Sequence, residues 1–169
     1  MQIRISESGT AAAIASLPDS SALRSKITQA IRLTIKDGKS EGSSLVKQRY
    51  TARNILSLGK IKMRTSGLTG TLTISGGRNM IKRFKLNPAT RPPHNPPGGL
   101  HVQIVRGQGG SLVHAFVNRA GSVLERTGTA RLPLRRLKTV SLPGAFSRVG
   151  DKLMTVMSNR LQARLEELL

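Results

Sequence analysis

Between Gly42 and Leu124 the chain runs for 83 residues without one Asp or Glu, and that stretch carries 13 Lys and Arg. A folded middle of this kind repels itself unless something anionic faces it, so it constrains the architecture as well as the partners. The acids are confined to the flanks: Glu7, Asp19, Asp37 and Glu41 before it, Glu125, Asp151, Glu166 and Glu167 after it. Over all 169 residues the balance is 28 Lys and Arg against 8 acids, a formal charge of +20. Nucleic acid, an acidic protein ring or an acidic tube would each neutralise it. A membrane surface fits less well, because the cations do not follow an amphipathic helix.

The length suits one domain with a real core. That core must be built mainly from Leu, Ile, Val and Met, since Tyr50, Phe84, Phe116 and Phe146 are the only aromatic residues. Aromatic rings bury much area each, so a thin core and a protomer that gains stability from neighbours in an assembly are expected. Cysteine is absent, which removes disulfides, thiolate nucleophiles and Cys-based metal sites. No long apolar run follows Arg4, and none of about 18 residues occurs anywhere, so neither a signal peptide nor a membrane-spanning helix is expected.

Gln2 to Ser6 alternates as a short strand, and Thr10 to Leu17 is Ala-rich and helix-compatible. Pro18-Asp19-Ser20-Ser21 reads as a helix start. Leu23, Ile27, Ala30, Ile31 and Thr34 then recur at threes and fours until Gly38 ends the run. Gly38 to Ser44 reads as a loop, and Thr51 to Leu58 as a short helix closed by Gly59. Lys60-Ile-Lys-Met-Arg alternates, with Lys60, Lys62 and Arg64 on one face and Ile61 and Met63 on the other. Past a Ser66-Gly67 turn, Thr69 to Ser75 sets Thr69, Thr71 and Thr73 opposite Leu72 and Ile74, which completes a hairpin.

Pro88 to Gly99 holds five prolines and two glycines, a rigid extended excursion. Leu100 to Arg106 reads as a strand with Leu100, Val102 and Ile104 inward. Gly107-Gln-Gly-Gly is a turn, Leu112 to Val117 the returning strand, and Val123 to Thr127 and Leu134 to Val140 are further strands. Leu153, Met157, Leu161, Leu165 and Leu168 mark the apolar stripe of a last helix, with Asp151 near its start.

The order predicts an α+β fold, an antiparallel sheet of about five to six strands flanked by an N-terminal and a C-terminal helix. A single domain over 1–169 is expected. It has a helical part at about 10–58, a sheet at about 60–140 with the Pro-rich loop at 88–99, and a helix at about 150–169.

Reactive chemistry finds little to work with. His94, His101 and His114 have no metal-binding spacing, and no acid lies within twenty positions of His94 or His101 to orient them. Only Glu166 and Glu167 are adjacent acids, and neighbours on a helix do not face each other. Gly107-Gln-Gly-Gly lacks the following Lys-Ser/Thr of a phosphate-binding loop and opens a strand. No catalytic, cofactor-binding or metal-ligating residue is assigned, and no enzyme is expected.

The basic residues form three groups: Arg49, Arg53, Lys60, Lys62 and Arg64; Lys82, Arg83 and Lys85; and Arg131, Arg135, Arg136 and Lys138. Each group can serve as a solvated face or as a contact to phosphates without sequence choice. Four aromatic residues are too few for a platform that stacks single-stranded bases.

From Tyr50 onward the chain resembles the minor tail protein Z (tail completion) family of phages and prophages. The residues that carry the resemblance begin with Tyr50-Thr-Ala-Arg-Asn-Ile-Leu, Lys60-Ile-Lys-Met-Arg, the Leu68–Gly76 strand and Arg83-Phe84-Lys85 before the Pro-rich segment. Val102-Gln-Ile-Val-Arg-Gly, His114-Ala-Phe-Val and Gly121-Ser-Val-Leu-Glu-Arg-Thr-Gly follow. Arg131-Leu-Pro-Leu-Arg-Arg-Leu, Val140-Ser-Leu-Pro-Gly-Ala-Phe and the Leu-rich last helix complete the run; an early basic helix before residue 40 also fits, and together the resemblance covers about four-fifths of the chain. The resemblance implies a virion protein, made in the host cytoplasm, at the head-proximal end of the tail tube. It implies a role in head–tail joining and DNA positioning, with tail-tube protein, terminator and head–tail connector as partners and a homohexameric ring as the assembly. On charge alone, a general basic nucleic-acid-binding protein of ribosomal or chromatin type is the alternative.

Overall fold

The computed structural model of the chain describes residues 1–6, 20–90, 99–128 and 132–168. The Ala-rich 10–17 segment, the Asp19 helix cap, His94, most of the Pro-rich stretch and Arg131 lie outside them. The chain gathers into two compact units interleaved in sequence. Unit 1 is Met1–Leu45, Lys60–Ser75 and Pro143–Leu169; unit 2 is Val46–Gly59 and Gly76–Leu142. The α+β class holds, with helices towards both ends. Among the described residues the strands do not form the single sheet of five to six strands expected, however, but four small antiparallel sheets.

In unit 1, strands β1 (Gln2–Ser6), β2 (Lys60–Ser66) and β3 (Thr69–Ser75) form a sheet in the order β1-β3-β2. The β2–β3 hairpin turns at Gly67, whose φ of +55° suits a residue without a Cβ. Lys62 stands across from Thr73 and Arg64 across from Thr71. Leu72 and Ile74 are buried on the other face, as the alternation predicts. Met63, expected on the apolar face with them, is nonetheless largely exposed.

Helix α1 runs from Ser20 to Arg49, so the loop expected at 38–44 is helical. The correction has a packing cause. The buried stripe Ile27, Ile31, Ile35 continues through Gly38, Gly42 and Val46 at helical spacing. A Cβ on Gly38 would lie 2.6 Å from the Met157 side chain, and one on Gly42 would overlap the Phe146 ring and sit 3.0 Å from Leu153. These glycines let α1 lie close against α2 (Leu142–Ser147), which the sequence did not suggest, and α3 (Gly150–Glu166). Close approach offsets the cost of about 1 kcal/mol that each helical glycine carries relative to Ala. Gly70 does the same on β3, where a Cβ would meet Ile31 and Ile35 at 2.7 Å. In α3, Leu153, Met157 and Leu161 are buried and Asp151 occupies the first turn as expected.

In unit 2, β4 (Arg78–Met80) pairs with β11 (Lys138–Ser141). Strands β5 (Lys85–Asn87), β6 (Leu100–Val105) and β7 (Gln108–Leu112) form a second sheet, and β8 (Ala115–Val117), β9 (Val123–Arg126) and β10 (Leu134–Arg136) a third. The strand expected over 112–117 is thus two strands separated by Val113 and His114. The strand expected over 134–140 is likewise two, broken at Leu137, which packs on the apolar cluster of Ile81, Leu100, Val102, Ala115, Val117 and Val123. Leu137 donates its N–H to the Val123 carbonyl and accepts from Ile81, so the chain changes sheets there. The helix expected over 51–58 is only a 3-10 turn at Leu56–Leu58. Tyr50 bridges to Val105 and Thr51 donates its N–H to the Ile104 carbonyl at 2.9 Å, so this segment lies extended along β6.

Candidate cationic interface

The two units divide the charge unequally. Unit 2 contains fifteen Lys and Arg and a single acid, Glu125, whereas unit 1 contains thirteen and seven. Glu125 is already engaged: its Oε2 accepts from the Arg135 guanidinium, its partner across the β9–β10 pair. The remaining cations of unit 2 have no acid of their own unit to answer them.

Backbone pairing merges residues that are distant in sequence. The segment after α1 is held between two elements. Arg53 donates its N–H to the Arg83 carbonyl at 3.2 Å, while the Thr51 hydroxyl accepts from the Lys85 N–H at 3.3 Å and donates to the Gln103 carbonyl. Arg106, at the β6–β7 turn, donates its N–H to the Arg49 carbonyl at 2.9 Å and its Nε–H to the Lys47 carbonyl at 3.0 Å. It thereby satisfies two carbonyls at the C-terminus of α1, where the helix dipole favours a cation. The Arg83 guanidinium donates to the Ser57 carbonyl. Arg49, Arg53, Lys82, Arg83, Lys85 and Arg106 are therefore neighbours, all exposed, with Tyr50 and Phe84 buried among the elements that carry them.

The three groups expected from sequence are accordingly redrawn. Arg49 and Arg53 of the first group join the second, Lys82, Arg83 and Lys85. Lys60, Lys62 and Arg64 belong to unit 1, on edge strand β2 beside the threonines of β3. Arg135 and Arg136 lie on β10, while Lys138 lies on β11 opposite Met80. All eleven of these residues are exposed; Arg131, the twelfth, lies outside the described residues.

Arg106 was not among the candidates. It stands alone in sequence between Val105 and Gly107, and only the pairing of Tyr50 with β6 reveals its neighbours. Arg126, over the Phe116 ring at 5.7 Å, is a second addition, a cation–π contact on β9. His101 and His114 are exposed, and among the described residues no three His, Asp or Glu gather as a metal-binding group. Among them too, no helix is long and apolar enough to cross a membrane.

No family model, curated protein or solved structure matches this chain.

Proposed function

We propose that the chain is a non-enzymatic structural protein of a tailed phage or prophage particle. It completes the tail at the head-proximal end of the tube and takes part in head–tail joining and in positioning the DNA end. The observation that carries the reading is where the motif run falls. His114-Ala-Phe-Val, Gly121-Ser-Val-Leu-Glu-Arg-Thr-Gly, the Leu134-Arg-Arg part of the next motif and Val140-Ser-Leu-Pro-Gly-Ala-Phe fall at β8, β9, β10 and the β11–α2 step in order, consecutive elements rather than scattered fragments. Strand β9 pairs with β8 on one side and β10 on the other, so these three strands form a single sheet.

An exposed cationic surface supports the same reading, since a particle that handles DNA supplies both phosphates and acidic protein surfaces. In this role the chain assembles as a ring with tail-tube protein, terminator and head–tail connector as neighbours. Electron microscopy of particles made without this chain is the test: headless tails or broken junctions are expected, and normal infectious particles would refute the role. The mass of the purified protein, alone and with tail tubes, tests the ring.

A second reading, a general basic nucleic-acid-binding protein, draws on the fifteen-to-one charge ratio of unit 2. Wild-type particle assembly in the absence of the chain, with tight nucleic-acid binding by the purified protein, would favour it.

A further inference from the structure

We propose that the surface of unit 2 formed by Arg49, Arg53, Lys82, Arg83, Lys85 and Arg106 binds the sugar–phosphate backbone of duplex DNA without sequence choice. The inference deepens the proposed role by naming the anion, and it depends on that role only for the source of the DNA.

Four observations carry it. No acid occurs in the sequence of unit 2 before Glu125, and that residue is paired with Arg135, so this surface has no internal counter-ion. Two of its arginines are held in place, Arg83 by the Ser57 carbonyl and Arg106 by the Lys47 carbonyl. Each guanidinium carries five N–H donors, so one bond to a carbonyl orients the group and leaves donors for phosphate oxygens. The aromatic residues here, Tyr50 and Phe84, are buried at 2% and 1% exposure, so no ring is presented for stacking an unpaired base. That favours an intact duplex read through its backbone over a single strand.

The fourth observation separates DNA from an acidic protein. Protein interfaces centre on aromatic and apolar groups and are depleted in Lys. Here Lys82 and Lys85 are exposed, and of the large exposed apolar residues described in unit 2, Leu132 and Leu134 accompany Arg135 and Arg136 on the β10 side, while Val113 lies between β7 and β8. Leu56, next to the Ser57 that Arg83 holds, adjoins the six cations. The β10 side has the mixed character of a protein contact; the six-cation surface has the character of a phosphate contact.

The experiment uses the full chain and a short fluorescein-labelled DNA duplex of random sequence, read by fluorescence anisotropy over a salt series. The test variant is R53Q/K82Q/K85Q, which spares Arg83 and Arg106 and the carbonyls they hold. The control, K60Q/K62Q/R64Q, removes the same charge from β2 of unit 1. The test variant should bind the duplex about tenfold more weakly at roughly 0.15 M salt, with the log–log salt slope reduced by about three. The control should lose less than about threefold, and R53K/K82R/K85R, which keeps the charge, should bind like the wild type. Equal loss in both glutamine variants would mean diffuse charge and overturn the proposal. Displacement of the duplex by polyglutamate at equal charge concentration would overturn it in favour of an acidic protein partner. Absence of binding by the wild type overturns it as well. Particle assembly is scored separately: a chain that completes particles yet ignores the duplex leaves the assembly role standing and sinks this inference alone.

Discussion

Arg164 on α3 places its Nη2 2.6 Å from Oδ2 of Asp37 on α1. Its Nη1 donates to the Thr34 hydroxyl at 2.8 Å, and Thr34, fully buried, passes the bond on to the Ala30 carbonyl. One turn away on each helix, Arg160 meets Glu41 at 3.0 Å and Asp37 at 3.6 Å. Asp37 and Glu41 are like charges four residues apart, which by themselves disfavour α1. Two arginines four residues apart on α3 reverse the sign, so four charges fasten the two helices where their apolar stripes meet.

The first prediction follows from that network. A double-mutant cycle on Asp37→Asn and Arg164→Met, read by urea unfolding, should give a coupling of about 0.5–1 kcal/mol that shrinks as salt rises. The partial exposure of both side chains keeps the value from being larger. Zero coupling at low salt would show the contact to be idle.

Gly42→Ala is a contest between two effects. Alanine gains about 1 kcal/mol of helix propensity, but its methyl would press on Phe146 and Leu153, and overpacking costs about 1–3 kcal/mol. Because the obstructing atoms belong to a buried ring and a buried leucine, the clash should prevail. Thermal unfolding should show a net loss of stability; a gain would mean that α2 can retreat at no cost.

Two glycines with positive φ offer a matched pair. Gly67 has φ +55° and open space around it, so Gly67→Ala should cost only the left-handed strain of about 1 kcal/mol. Gly99 has φ +77°, and a Cβ there would fall 2.6 Å from the Leu112 carbonyl oxygen and 2.8 Å from the Val113 Cα. Backbone cannot swing aside as a side-chain tip can. Gly99→Ala should therefore cost at least about 2 kcal/mol by denaturant titration, clearly more than the change at Gly67.

Asn79 is buried at 6% exposure, and its Nδ2 donates to the Leu58 carbonyl at 3.0 Å and the Val140 carbonyl at 3.2 Å. It thereby ties β4 to the 3-10 turn and to β11. Asn79→Asp turns the donor into a second acceptor against two carbonyls and should cost about 2 kcal/mol or more near neutral pH. Asn79→Leu strands the carbonyls without adding charge and should cost less. Chemical denaturation of the two variants tests the order.

The elements legible in the sequence were those whose signal is local. Strict alternation around Gly67 places β2, β3 and their turn, and the spacing of Leu153, Met157 and Leu161 places α3. Gly38 misleads because a glycine that ends a helix and one that makes room for Met157 look alike until the partner helix is known. Leu137 misleads because the alternation of residues 134–140 carries no mark of a change of partner. The cationic surface was legible in charge but not in grouping. Arg53 and Arg83 become neighbours through one backbone hydrogen bond, and Arg106 joins only through the pairing of Tyr50 with Val105. Asp37 and Glu41, which the sequence shows only as acids flanking the basic middle, owe their partners to a helix more than a hundred residues downstream.

The interleaving of the two units sets an order on their completion as the chain leaves the ribosome. Every residue of unit 2 has been synthesised by Leu142, while unit 1 still lacks Phe146, Leu153 and Met157, against which Gly38 and Gly42 are shaped. Domains tend to fold as their chain becomes available. The cationic half can thus mature while α1 waits with an uncovered glycine face for the last segment to arrive, and a chain cut before α2 would leave that face bare.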